Sequence, residues 1–234
     1  TKWIKIFFGL SLIGVLFVGG VNYIVDPFNI FHTKFLKEQF QMNERFMKIE
    51  YLEENKNKYN SYMFGSSRIG TTPPNIIDKY FENAKFYNFT VSSANLYDYL
   101  MHLKYFIKSE YPIKNLYLQI DIDNISSYSR SESDYLRKLH PFVLEENLEK
   151  YYLSYLTGFF PLNVKGKIAL NLKRDDITEY FIETGIWTKP LKEKMIQEKE
   201  KYRELRQNNT IKETVLKDFA TEKTVEDYIK VFKI

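Results

Sequence analysis

Two adjacent serines, Ser66 and Ser67, follow Gly65 directly after the short, mostly apolar run at 61–64. The run is typical of a buried β-strand, and a ligand crevice lies beyond the carboxyl end of such strands in α/β sheets. A serine hydroxyl placed there can attack a carbonyl carbon while main-chain N–H groups stabilise the oxyanion. The alternative is that the serines only cap the next helix, as serine often does.

A serine nucleophile needs a general base, and the sequence offers few candidates. It contains three histidines, His32, His102 and His140, and no Asp-x-x-His sequence. His102 falls inside a predicted helix, where a packed or surface role is favoured. None of the three has the features of a catalytic base.

The composition excludes several kinds of site. The chain has no cysteine, which rules out disulfides, thiolate metal sites and cysteine nucleophiles. Asp121 and Asp123 lie two residues apart without a nearby histidine, too little for a metal site, and we expect neither metal nor cofactor. The 34 Lys+Arg nearly balance the 30 Asp+Glu, so no clustered basic face indicates nucleic acid.

Residues 6–25 form a run of 20 residues without a charge. A helix of this length spans about 30 Å, the thickness of a bilayer's hydrocarbon core. Lys2 and Lys5 precede the run and Asp26 follows it, which predicts a cytoplasmic N-terminus. The alternative, a cleaved signal peptide, lacks its small-residue cleavage site here. We expect a single-pass anchor in the inner membrane, with the rest of the chain periplasmic or otherwise extracytoplasmic.

Beyond the anchor, strand-like and helix-like segments alternate. Strands are predicted over 61–64, 85–91 and 115–121, with helices over 74–82 and 95–109 between them. This alternation predicts an α/β domain with right-handed crossovers and a parallel sheet. The crossover lengths predict that 61–64 lies between the other two strands.

The remaining segments complete a four-part division. We expect an anchor over 1–26, a juxtamembrane linker and helix over 27–60, an α/β core over 61–140, and a helical insertion or cap over 141–234. The further helices are predicted over 35–58, 176–184, 190–207 and 211–234. The last helix is expected to lead into a fourth strand beyond Ile234, so the sheet would be incomplete. The aromatic run at 151–161 either packs in a core or touches lipid or a membrane partner.

Several short motifs together resemble the SGNH/GDSL hydrolase superfamily, over roughly residues 22–125. The likeness is greatest to its membrane-anchored members that work with acyltransferases on cell-surface polymers, such as D-alanyl transfer and alginate O-acetylation proteins. It implies a flavodoxin-like, three-layer fold. The motifs are Phe64-Gly65-Ser66-Ser67-Arg68, Pro73-Pro74, Phe86-Tyr87-Asn88-Phe89, Val91-Ser92-Ser93-Ala94 and Leu118-Gln119-Ile120-Asp121.

The resemblance implies roles for four residues. Ser67 takes the position of the nucleophile, and the main-chain amide of Ser93 would replace the glycine amide of the family's oxyanion hole. Asn124 is the nearest candidate for the family's asparagine donor, although its Gly-x-Asn-Asp context is missing. Arg68 would bind an anionic group or pair with an acidic residue. The family's Asp-x-x-His is absent.

Two functions remain open at this stage. One is an anchored enzyme, or enzyme-like subunit, that transfers or removes an O-acyl group on an envelope glycan, with a polytopic membrane acyltransferase as partner. The other is a non-catalytic scaffold within a multiprotein envelope assembly. The missing glycine and the missing base favour the scaffold, whereas the family's usual activity favours the enzyme.

Overall fold

The computed structural model describes residues 2–33, 42–125, 135–158, 178–190 and 193–194. These residues fold into two compact units. The first contains the described residues of Thr1–Met47 and Glu132–Ile177, and the second contains those of Lys48–Ser131 and Thr178–Ile234. Each unit therefore combines two separate stretches of sequence.

The first unit begins with helix α1, Lys2–Val25, whose 24 residues are long and apolar enough to cross a membrane. The chain leaves α1 at Asp26, whose carboxylate accepts hydrogen bonds from the main-chain N–H groups of Ile30 (2.8 Å) and Phe31 (2.9 Å). Burial raises the pKa of the Asp26 carboxyl above its ordinary value, although these donors oppose the shift. The loop after α1 is thus folded around one acidic side chain.

Two further helices of the first unit are α6, Pro141–Leu144, and α7, Leu148–Thr157. Their packing partners include the start of helix α2, Glu44–Glu54. The core is aromatic: Phe46 stacks on Tyr151 with ring centroids 5.6 Å apart, and Ile30 and Tyr155 belong to the same cluster. Of the helix predicted over 35–58, the structure has α-helix at 44–54 and a short 3-10 helix at Lys56–Lys58, and 35–41 lie outside the described residues.

The second unit is built on a three-stranded sheet. Its strands are β1, Ser61–Phe64, β2, Phe86–Asn88, and β3, Asn115–Leu118. The order is β2-β1-β3 and both pairings are parallel, which confirms the predicted α/β arrangement. All four residues of β1 are buried, as expected of a central strand.

Three helices connect or follow these strands. They are α3, Pro74–Asp78, α4, Leu96–Lys108, and α5, Ile122–Ile125. Asn95 begins α4 with a reciprocal capping box to Asp98. The predicted strands over 85–91 and 115–121 are shorter in the structure, because the chain turns away after Asn88 and Leu118.

An antiparallel hairpin replaces the helix predicted over 176–184. Its strands are β4, Glu179–Phe181, and β5, Ile186–Thr188. The prediction is wrong for the described part of that segment. The turn between the strands contains Gly185 at φ +74°, a backbone angle that favours glycine. The hairpin contacts β2, because the Asn88 N–H donates to the Thr184 carbonyl (3.0 Å). The predicted helices over 190–207 and 211–234 lie almost entirely outside the described residues.

One buried lysine joins three parts of the second unit. Lys48, on α2, is 1% exposed, and its ammonium group donates to the carbonyls of Asn88 (3.1 Å), Thr90 (2.5 Å) and Gly185 (2.6 Å). A buried ammonium is costly unless its donors are satisfied. These three carbonyls accept hydrogen bonds from the ammonium group, and the same bonds hold the hairpin turn against the end of β2.

We predict that Lys48→Met lowers the free energy of unfolding by about 3 kcal/mol, because it leaves three buried carbonyls without this donor. The matched control is Lys104→Met on the exposed face of α4, expected to change stability by less than about 0.5 kcal/mol. Urea unfolding in detergent can be followed by Trp187 fluorescence in a Trp3→Phe background, since the chain has two tryptophans. Equal stabilities of the two variants would contradict the role given to Lys48.

Candidate functional site

The first of three loops at the carboxyl edge of the sheet follows β1 and forms a turn. The N–H of Ile69 donates to the carbonyl of Ser66 (3.2 Å), which places Ser67 and Arg68 inside the turn. Ser67 therefore lies in a turn rather than at the start of a helix. The next helix, α3, begins only at Pro74, because proline favours the first helical position.

The two serines differ in environment. Ser66 is buried, and both its N–H (2.9 Å) and its hydroxyl (3.3 Å) bond Oε1 of Gln119. Ser67 is exposed, and none of the described residues hydrogen-bonds its hydroxyl or its N–H. Ser66 is therefore a structural residue of the turn, and Ser67 presents its polar groups to solvent.

Gly65 permits the close approach of this turn to β3. A Cβ at this position would lie 2.5 Å from Cδ1 of Ile69 and 2.8 Å from Oε1 of Gln119. Any larger residue would push the Gln119 carboxamide away from Ser66. The glycine thus leaves room for the ends of the Ile69 and Gln119 side chains.

The second loop follows β2 and contains Ser93. Its backbone is left-handed at φ +51°, a conformation that favours glycine, and the residue is exposed. Among the described residues, none accepts a hydrogen bond from the Ser93 N–H. The N–H of Val91 donates to the carbonyl of Gly65 (3.1 Å), so the first two loops are joined directly.

The third loop follows β3 and carries Asn124, which is buried. Its Nδ2 donates to the carbonyl of Ala94 (2.8 Å), and its Oδ1 accepts from the N–H of Asp121 (2.9 Å). The side chain therefore bridges the second and third loops. One N–H of the Asn124 carboxamide donates to the Ala94 carbonyl, so only its other N–H could donate to an oxyanion.

Arg68 pairs with an acidic residue, one of its two expected roles. Its guanidinium lies 2.6 Å from Oδ2 of Asp121, which also accepts from Nε2 of Gln119. The Arg68 side chain is 54% exposed, so solvent screens the pair and it adds little stability. The pair brings the first loop to the third.

Gln119 is the residue of this site that sequence analysis missed. It belongs to a quoted motif, but no role was assigned to it. The main-chain carbonyl of Gln119 accepts a hydrogen bond from the Tyr99 hydroxyl (3.0 Å). Burial, together with the Asp121 charge, raises the pKa of Tyr99 above its ordinary value. Tyr99 therefore remains a donor at neutral pH. A polar residue at the end of an apolar strand was the available signal.

The histidines do not supply a base within the described residues. Nδ1 of His102 lies 2.7 Å from the Asp98 carbonyl, and the ring packs against Phe89, which confirms its packed role. Nδ1 of His140 accepts from the N–H of Phe142 at the start of α6. His32 is exposed in the loop after α1. Nor do three metal-binding side chains gather anywhere in the described ranges.

Comparison with models of known families, with curated proteins and with solved structures found no match for this chain. Its function is therefore argued from the site.

We predict that Asn124→Ala lowers the free energy of unfolding by about 2 kcal/mol, because it leaves the Ala94 carbonyl and the Asp121 N–H without this partner. Asn75→Ala is the matched control, since Asn75 is exposed on α3. The same urea titration measures both variants. A loss no larger than that of the control would show that Asn124 does not hold the loops together.

Proposed function

We propose that this chain is a membrane-anchored, extracytoplasmic SGNH-like protein that acts in O-acyl transfer or deacylation of a cell-envelope glycan. The observation that carries the proposal is the exposed Ser67, with an unengaged hydroxyl, beyond the carboxyl end of the central parallel strand. This is where α/β folds bind ligands.

In the proposed reaction, Oγ of Ser67 attacks the carbonyl carbon of an O-acyl ester. The hydroxyl proton passes to a general base, which none of the described histidines supplies, and the alkoxide of the glycan or donor leaves with a proton from the same base. The acyl group stays on Ser67 until water or an acceptor hydroxyl displaces it. The N–H groups of Ser67 and Ser93 would receive the oxyanion, with the remaining N–H of Asn124 as a third donor.

The backbone at Ser93 supports the assignment of the oxyanion donor. The family that the motifs resemble commonly has glycine there, and the left-handed φ of +51° at Ser93 is one that glycine adopts most readily. The backbone at Ser93 is thus compatible with this role although the residue differs.

The proposed localisation requires α1 to span the membrane with its N-terminus in the cytoplasm. We predict that Tyr80→Cys, at a position 81% exposed in the second unit, reacts with an impermeant maleimide in intact spheroplasts. Trp3→Cys should react only after permeabilisation. The natural absence of cysteine makes each variant a single reporter. The reverse pattern would invert the topology, and reaction of both only after lysis would place the chain inside the cell.

Catalysis is tested by replacing each serine in turn. We predict that Ser67→Ala abolishes fluorophosphonate labelling of the full-length protein and the gain or loss of ester-linked acyl groups on the envelope glycan. Ser66→Ala is the matched control: its hydroxyl is engaged with Gln119, so labelling at Ser67 should persist. Unchanged acyl content in cells carrying Ser67→Ala would exclude a nucleophilic role.

A second candidate is a non-catalytic scaffold in an envelope assembly. It is favoured by the commitment of Asn124 to a loop bridge and of Arg68 to Asp121. In that case Ser67→Ala leaves assembly and phenotype intact, whereas Asn124→Ala disturbs both by loosening the loops.

A further inference from the structure

The end of helix α7 packs directly on the apolar helix α1, within the first unit. A Cβ at Gly19 would lie 3.9 Å from the Cβ of Leu156, which is ordinary van der Waals contact. One turn further along α1, Nδ2 of Asn22 donates to the carbonyl of Leu156 (2.7 Å). Leu156 therefore marks the level of α1 at which α7 ends.

That level lies within the uncharged part of α1. Counted from Ile6, the first residue after Lys5, Gly19 lies about 20 Å and Asn22 about 24 Å along the helix axis. A hydrocarbon core about 30 Å thick that begins near Ile6 extends past both residues. If α1 spans the bilayer, the end of α7 reaches hydrocarbon depth.

Three carbonyls in the C-terminal half of α7 accept hydrogen bonds near its end. Beyond the bond from Asn22 to Leu156, the Thr157 hydroxyl donates to the Leu153 carbonyl (2.9 Å) and the Gly158 N–H donates to the Ser154 carbonyl (2.9 Å). The last carbonyls of a helix normally rely on water, whereas inside a bilayer they need partners from the protein. The Leu156 carbonyl has such a partner in Asn22 of α1.

The exposed face of α7 that begins with Glu149 changes from charged to uncharged along the helix. Glu149 and Lys150 are exposed in the first turn, and Leu153, 56% exposed, follows on the same face one turn later. Thr157 continues that face. Such a gradient suits a helix that enters a membrane with its C-terminal end first.

Aromatic rings lie beyond that level, towards the C-terminal end of α1. Tyr23 of α1 contacts Phe31 with centroids 5.2 Å apart, and Phe31 contacts Tyr152 of α7 at 5.8 Å. Tyrosines are concentrated at the headgroup level of bilayers, where their rings are buried and their hydroxyls are wet. This row of rings places the boundary between water and lipid across the middle of α7.

We propose that the C-terminal half of α7 inserts into the leaflet at the C-terminal end of α1, with lipid acyl chains covering the face of Leu153. It is a second, interfacial membrane contact of the first unit. The inference depends on the proposal that α1 spans the membrane. Continuity with that segment identifies lipid as the occupant.

The test attaches a nitroxide spin label to single cysteines in the full chain, reconstituted in phosphatidylglycerol and phosphatidylethanolamine nanodiscs. The sites are Leu16→Cys on α1, Leu153→Cys and Thr157→Cys on α7, and Glu149→Cys as the solvent control. We expect labels at Leu16, Leu153 and Thr157 to collide several-fold more with oxygen than with an aqueous nickel chelate. The label at Glu149 should show the opposite preference.

The two proposals fail in different ways. A lipid signal at Leu16 with a water signal at Leu153 and Thr157 overturns the insertion of α7 and leaves the anchor standing. A water signal at Leu16 overturns the anchor itself. Low accessibility of Leu153 to both reagents would mean that protein covers this face, which also overturns insertion into lipid.

Discussion

The burial of one ammonium group governs the architecture of the second unit. Lys48 is removed from water, and its ammonium group donates to three main-chain carbonyls, which offset the cost of its burial. Two of them, at Asn88 and Thr90, belong to the chain leaving β2, and the third, at Gly185, belongs to the hairpin turn. One set of hydrogen bonds therefore links α2 to both the end of β2 and the hairpin turn.

The same constraint extends to the loops at the sheet edge. Beside Lys48, the Asn88 carboxamide donates to the carbonyls of Ile69 (3.0 Å) and Thr72 (2.9 Å), which belong to the connection from β1 to α3. Asn124 and Gln119 then bind the second and first loops to the third. Each loop is held on two sides, so the main-chain N–H groups within them have fixed positions.

The sheet was predictable because its signals are local, and much of the site was not. A mostly apolar β1 and helix-length connections predict a parallel order without reference to the rest of the chain. The hairpin depends on a bond from Lys48 to Gly185 across 137 residues, which no local pattern reveals. Likewise, only the structure distinguishes the engaged Ser66 from the exposed Ser67, since both follow the same strand.

The two candidate functions place different demands on this frame. A scaffold needs a stable surface, whereas acyl transfer needs a hydroxyl and its oxyanion donors held to within about 0.5 Å. The hydrogen-bonded loops meet the positional requirement of acyl transfer, because Ser67 and Ser93 lie in turns held by buried partners. They do not meet the demand for activation within the described residues, where His102 is packed and no base contacts Ser67. The loops thus position the Ser67 hydroxyl without activating it. A general base that removes the proton of this hydroxyl would turn Ser67 into a nucleophile.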